Sequence, residues 1–189
     1  AKPKKFIFGK CKLATASFGH GVSTTILQLA KGYSIIANGG FDVAPKLIKS
    51  DQFIEEKKRV LNSDVSKKLT KILRKVVSSK EGTANLADVK GYEIAGKTGT
   101  AQQPVEGEYS KMKINTFASI FPSSKPKFVF IVMLESPKGS PTYIYNYRNS
   151  NGSFKGTPFN TAGWTAVEVA GQIIDKIGPI LATKYLQVN

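Results

Sequence analysis

The spacing of apolar residues changes along the chain, and each change marks a change of element. Ile26, Leu29, Ala30, Tyr33, Ile36 and Ala37 recur every three or four positions, as one face of a helix requires. Thr25 followed by Gln28 makes a capping box in front of this run, and Gly39-Gly40 stops it. The pattern predicts a buried helix of about four turns. The residues before it, 1–22, are basic and read as loop, while Pro45 to Ile48 fit a short extended piece. Ser63 is placed to cap a second helix with Val65, Leu69, Ile72, Leu73 and Val76 on one face. Its other face carries Lys67, Lys68, Lys71, Arg74 and Lys75, which reads as a solvated stripe.

From Gly91 the pattern becomes that of extended chain. Tyr92 to Ala101, Ile114 to Phe121 and Lys127 to Leu134 are predicted to be three consecutive strands. A Gly/Pro-containing connection and a tight Pro122 to Pro126 turn join them, so they should pair antiparallel. The third strand is apolar on both faces and needs cover above and below. Residues 136–160 then read as a Tyr/Gly/Asn/Pro-rich loop, long enough inside a domain to imply a function or mobility. A last helix is expected from near Thr161, burying Trp164, Val167, Ala170, Ile174 and Ile177 and ending at Gly178-Pro179. These elements make an α+β domain, an antiparallel sheet packed with helices on both faces.

Composition narrows the function. The 189 residues suit one domain or a piece of a larger one, and 41% apolar with 22% charged residues allows a real core. No run approaches the ~18 apolar residues of a membrane span, and no charged-then-apolar leader opens the chain, so an anchor or export signal would have to lie outside it. Cys11 is the sole cysteine, which excludes an internal disulfide. His20 is the sole histidine, which excludes a His-rich metal site. The net charge of +15 comes almost wholly from lysine, the only arginines being Arg59, Arg74 and Arg148. Nucleic-acid readers usually carry more arginine, and apart from Lys2, Lys4, Lys5, Lys10 and Lys12 the lysines are spread evenly. Two readings of the charge stand: a solvated surface with general attraction to anionic polymers, or a non-catalytic module with a specific polyanion site.

The segment with most chemistry is Gly96-Lys97-Thr98-Gly99-Thr100-Ala101-Gln102. On a strand it offers a cation, two hydroxyls, a position without a side chain and edge N–H groups, the parts needed to lay an anionic, peptide-like ligand along the backbone. As bare composition, the plainer alternative is a strand with a glycine bulge. His20, held between Gly19 and Gly21, reads as structural, and Tyr143, Tyr145 and Tyr147 either line a cleft or pack their loop.

Five segments decide between these readings: Ser17-Phe18-Gly19-His20-Gly21, Leu27-Gln28-Leu29-Ala30, Ile36-Ala37-Asn38-Gly39-Gly40, Ile94 through Gln102, and Ala162-Gly163-Trp164-Thr165-Ala166. In order and spacing they resemble the successive signatures of class B penicillin-binding proteins, the D,D-transpeptidases that cross-link peptidoglycan. Gln102 and the Ser-Phe-Gly-His-Gly segment resemble the division (septal) type. The resemblance implies a serine acyl-transferase with three motifs, Ser-x-x-Lys, Ser-x-Asn and Lys-Thr-Gly. Only the third is present here. No Ser-x-Asn exists in the sequence, and the two Ser-x-x-Lys strings, Ser110 to Lys113 and Ser124 to Lys127, fall after the Lys-Thr-Gly segment and are expected between strands. Residues 1–189 are thus expected to be the C-terminal portion of a single transpeptidase domain, lacking the nucleophile and the first two of the family's five strands.

The resemblance also implies roles. Lys97 would supply positive charge and help hold a proton network; Thr98 and Thr100 would bind the terminal carboxylate of the substrate; Gly99 would let the acyl chain approach; and the Thr100 backbone N–H would be one oxyanion donor. The implied ligands are peptidoglycan stem peptides ending in D-Ala-D-Ala and the β-lactams that mimic them. No cofactor, metal or nucleic acid is implied. The parent protein is expected at the periplasmic face of the bacterial inner membrane, held by an N-terminal helix outside this chain, with divisome membrane proteins as partners.

Overall fold

The computed structural model describes residues 10–17, 19, 22–48, 58–105, 108–149, 152–156 and 160–185. A short helix, α1 (Lys10–Ala16), occurs where loop was expected and contains Cys11; His20 lies outside the described residues. Helix α2 (Ile26–Ala37) begins as its sequence predicts. Gln28 N donates to Thr25 Oγ1 at 3.1 Å and Thr25 N donates to Gln28 Oε1 at 2.9 Å. Contrary to expectation, α2 has just over three turns and contains no buried residue, with Ile26 and Leu27 almost half exposed. Its inner side touches the sheet, while these two large residues are only partly covered by the described residues.

Helix α3 (Ser63–Ser78) is capped by Asn62, whose Oδ1 accepts from Asp64 N at 2.8 Å, and not by Ser63. Its buried side is also turned relative to the apolar spacing: Ser66, Thr70 and Val77 are buried, while Val65 and Ile72 are exposed. The physical reason is small hydroxyl residues that let the helices approach. Ser66 Oγ donates to Ile36 O of α2 at 2.5 Å, and Thr70 Oγ1 donates back to Ser66 O at 3.0 Å. Arg74 accordingly leaves the solvated stripe and turns inward, 2.7 Å from Asp88 Oδ1 and 2.7 Å from Ile94 O.

Three antiparallel strands follow in the order β1 (Ala95–Val105), β2 (Glu108–Phe121) and β3 (Phe128–Glu135). Register places Thr98, Phe117 and Val132 in one row and Thr100, Asn115 and Leu134 in another, both on the same face, because side chains two apart on a strand point the same way. Lys97, Ala118 and Ile131 form a row on the opposite face. Phe117, Phe121 and Val132 join Val167, Ala170 and Ile174 of the last helix, α4 (Ala166–Tyr185), in the core. Both α2 and α4 contact β2 and β3. The cover expected on both sides of β3 is uneven: Val132 is buried, but Met133, on the other face, is 46% exposed. The outer edge of β3 has no strand partner among the described residues.

Part of the stretch expected to be a long loop is a hairpin. Ile144–Asn146 (β4) pairs antiparallel with Ser153–Lys155 (β5), so the alternation of Tyr143, Tyr145 and Tyr147 is a strand period. Tyr145 is buried edge-on against Trp164, ring centroids 5.2 Å apart, and against Tyr143 at 4.6 Å. These tyrosines pack the hairpin down. A 3₁₀ turn, Ala162–Trp164, then leads into α4, which runs through Gly178-Pro179 instead of ending there. Pro179 forgoes one helical hydrogen bond, yet Leu181 beyond it still packs on the core, and that burial keeps the chain helical.

Candidate active site

The Lys-Thr-Gly-Thr run lies on β1, whose outer edge carries no strand among the described residues. Lys97 leaves the face opposite to Thr98, but its Nζ curls to the backbone, 3.0 Å from Thr98 O and 3.5 Å from Thr98 Oγ1. The cation and the first hydroxyl therefore meet. Lys97 is exposed, and no carboxylate pairs with it among the described residues. Thr100 is exposed on the Thr98 face and its Oγ1 accepts from Ala162 N at 3.0 Å. That bond fills an acceptor position and leaves the Thr100 hydroxyl proton free to donate.

The two glycines of the segment do different work. A Cβ on Gly96 would lie 2.6 Å from Ala118 O and 2.7 Å from the Phe117 ring, so packing demands glycine there. A Cβ on Gly99 would meet nothing closer than Thr116 O at 3.9 Å, so packing does not. The open side of Gly99 is consistent with a ligand lying against it.

Two neighbours escaped the sequence reading. Thr83, in the loop after α3, holds its Oγ1 3.1 Å from Thr98 Oγ1. Asn115 is fully buried beneath Thr100, where Nδ2 donates to Asn160 Oδ1 at 2.8 Å and to Thr165 Oγ1 at 2.9 Å. Asn160 Nδ2 in turn donates to Pro137 O at 2.9 Å, and Lys113 Nζ to Asn160 O at 3.1 Å. This network fixes the 3₁₀ turn, and hence the Ala162 N–H, against the strand. A polar residue in the middle of an apolar strand was the only signal for Asn115; Thr83 gave none.

Of the two Ser-x-x-Lys strings, Ser110 to Lys113 falls within β2 and not between strands, because β2 starts earlier than its apolar run. Ser124 to Lys127 occupies the turn before β3, where Ser124 N donates to Glu93 Oε2 at 3.1 Å. Neither begins a helix. A cavity of about 480 Å³ lined by Arg74, Asp88, Lys90, Glu93, Arg148 and Asn149 lies below the start of β1 and includes none of residues 97–100. Within it Arg74 pairs with Asp88, and Asn149 Nδ2 donates to Asp88 Oδ2 at 2.8 Å. Among the described residues no three His, Cys, Asp or Glu side chains gather as metal ligands would.

The family model described as the penicillin-binding protein transpeptidase domain matches residues 3–157. The chain belongs to the penicillin-binding transpeptidase family. It is 33% identical over 182 residues to a probable peptidoglycan D,D-transpeptidase FtsI of Caulobacter vibrioides, covering 91% of this chain and 28% of that protein. It is 37% identical over 142 residues to the peptidoglycan D,D-transpeptidase FtsI of Buchnera aphidicola, covering 75% of this chain and 25% of that one. Among solved structures, the transpeptidase domain of Burkholderia pseudomallei penicillin-binding protein 3 superposes with a TM-score of 0.70 at 24% identity, over 92% of this chain and 47% of that one. The structural likeness speaks for the fold, and the relatives place the chain with the class B, FtsI-like members of the penicillin-binding family. The chain spans about a quarter of the length of these relatives.

Proposed function

We propose that residues 1–189 are the C-terminal portion of a single transpeptidase domain, and that the parent protein is a division-type peptidoglycan D,D-transpeptidase. The observation that carries this reading is the convergence of Lys97 Nζ and Thr98 Oγ1 at the open edge of β1, with Thr100 on the same strand, in a chain of this family. In the reaction a serine Oγ supplied by a segment outside these residues attacks the D-Ala-D-Ala carbonyl of a stem peptide. The terminal D-Ala leaves with a proton, and the amine of a second stem peptide then displaces the serine from the acyl ester. Thr98 and Thr100 donate to the terminal carboxylate, Lys97 adds charge and steadies the serine's proton network, and Gly99 leaves room for the acyl chain. Thr100 N–H supplies one oxyanion donor, a group whose loss typically costs ~10²–10³ in rate. β-Lactams would enter by the same contacts.

The chemistry is acyl transfer between oxygen and nitrogen and needs neither cofactor nor nucleic acid. No helix among the described residues is long and apolar enough to cross a membrane. The reading assigns membrane attachment to an N-terminal helix outside this chain, the periplasmic face of the inner membrane to the active domain, and divisome membrane proteins to its partners. Residues 1–189 alone bring half an oxyanion hole and no activated serine, so they are inactive by themselves. Intact-mass spectrometry after incubation with a β-lactam tests this. The full-length parent should gain one acyl adduct, and Lys97→Ala should suppress it. A stoichiometric adduct on any serine of residues 1–189, or full labelling after Lys97→Ala, overturns the assignment.

A further inference from the structure

Thr83 is presented to the candidate site by a fixed backbone. Gly82 is pressed against the carbonyls of Val76 and Ser79, leaving no room for a Cβ. Gly82 N donates to Ser79 O at 2.9 Å and Ala84 N to Val76 O at 3.1 Å, while Asn85 Nδ2 donates to Lys80 O at 3.0 Å. Ala84 and Leu86 on either side of Asn85 are buried. From the other direction Gly163 packs so closely that a Cβ there would lie 2.7 Å from Thr83 O. The Thr83 hydroxyl is thereby held beside Thr98, with an Oγ1–Oγ1 distance of 3.1 Å, yet the residue is solvent-exposed.

The direction of that hydrogen bond decides what Thr98 offers a ligand. A hydroxyl has one proton and two acceptor positions, and an ammonium can only donate. Lys97 Nζ already stands 3.5 Å from Thr98 Oγ1. Were Thr98 to donate to Thr83, its only proton would be spent inside the chain, and an arriving anion would meet a bare oxygen. With Thr83 donating, both acceptor positions of Thr98 are occupied and its proton points outward. An anion selects the second arrangement, because successive donors then run head to tail from Thr83 through Thr98 to the ligand and polarise one another. Thr100 is prepared in the same sense by Ala162 N–H.

We infer that Thr83 is a positioning residue that makes Thr98 an outward hydrogen-bond donor and so gives the site its preference for carboxylate-bearing ligands. This rests on the active-site reading above and adds to it the residue that orients the carboxylate contact.

The test compares acylation rates of the full-length parent by benzylpenicillin and by its methyl ester, which has the same reactive ring but no carboxylate charge. Thr83→Val removes the hydroxyl at constant shape, and Thr83→Ala serves as a second variant. Either should slow benzylpenicillin about fivefold, the weight of one hydrogen bond between neutral groups, and leave the ester within about twofold of wild type. Thr98→Val should discriminate between the two reagents in the same way. Unchanged reaction with benzylpenicillin in the Thr83 variants overturns the inference, as does an equal loss with both reagents, which is what mere loosening of the loop would give. If Thr98→Val discriminates and the Thr83 variants do not, only the role of Thr83 falls. If Lys97→Ala and Thr98→Val both react like wild type, the active-site reading itself falls and takes this inference with it.

Discussion

Arg148 and Glu168 form a two-pronged pair, Nη1 to Oε2 at 2.9 Å and Nη2 to Oε1 at 3.2 Å, which ties the β4–β5 hairpin to α4. Their side chains are only 14% and 8% exposed. Arg148 also donates to Leu86 O, and Glu168 Oε1 accepts from Tyr143 OH at 3.0 Å and from Gln172 Nε2 at 2.9 Å. The arrangement explains why the tyrosines sit where they do. Burial, and then the hydrogen bond to Glu168, holds the Tyr143 hydroxyl above the usual tyrosine range.

Glu168→Ala should therefore be severe. It strands a buried guanidinium, and breaking a buried pair from one side costs about 3–5 kcal/mol. Urea denaturation of the full-length protein measures the loss, and amide exchange should quicken first over 143–155. A change below about 1 kcal/mol would mean that solvent reaches Arg148 far more easily than its contacts imply.

Gly96→Ala and Gly99→Ala should separate packing from ligand access. The first forces a methyl against Ala118 O and the Phe117 ring, an overpacking that costs about 1–3 kcal/mol. The second has room, and its stability should stay within about 0.5 kcal/mol of wild type. If a ligand lies against Gly99, β-lactam labelling of the full-length protein falls in Gly99→Ala while its melting temperature holds. Retained labelling would remove Gly99 from the site.

Glu93 should make the protein acid-sensitive in a narrow range. It adopts φ 46°, accepts Ser123 N at its carbonyl at 2.9 Å and Ser124 N at Oε2 at 3.1 Å, and so clamps the β2–β3 turn. The side-chain and then the backbone hydrogen bond from Ser124 lower its pKa below the reference value of 4.5. A depressed carboxylate stabilises the fold above the unfolded-state value and loses that contribution as pH falls through the folded one. Melting temperature should drop below pH 4.5 by a small margin that Glu93→Gln abolishes, since the residue is exposed. Identical acid limbs for the two proteins would show that the clamp carries no stability.

The outer edge of β3, which has no strand partner among the described residues, should make the isolated chain self-associate. Met133 is 46% exposed on that strand, and an unpaired edge templates another copy. Light scattering over a concentration series should show association, and Met133→Lys should reduce it. A monomer at every concentration rules this out.

The sequence was most readable where one local rule decides the outcome. Thr25 and Gln28 announced a capping box, and the strand runs announced an antiparallel sheet, because hydrogen-bond geometry and side-chain period act over a few residues. It was least readable where a distant partner overrides the local pattern. Arg74 looks like one more cation on a helix stripe until Asp88, fourteen residues on, draws it inward, and Val65 looks buried until Ser66 and Thr70 take the contact. Gly178-Pro179 reads as a stop because the packing of Leu181 is invisible in the string. For the candidate site, Lys97 through Thr100 stood out by composition, whereas Thr83 did not: its importance lies wholly in a loop that folds back onto the strand.

Gly171 and Gly178 lie seven residues apart on α4, each seated against something that does not move easily. A Cβ on Gly171 would meet Leu86 O and the Arg148 guanidinium at 2.7 Å, and one on Gly178 would run into the Tyr92 ring. Two such notches, about two turns apart, work like the teeth of a key. They fix both how far the helix is slid along its axis and how far it is turned. A homologous protein can therefore change many surface residues of this helix, but inserting or deleting a single residue between the notches would swing one of them about 100° out of its seat. Length between these glycines should be the least variable property of the segment, and grafting the helix between relatives should succeed only when both notches arrive in step.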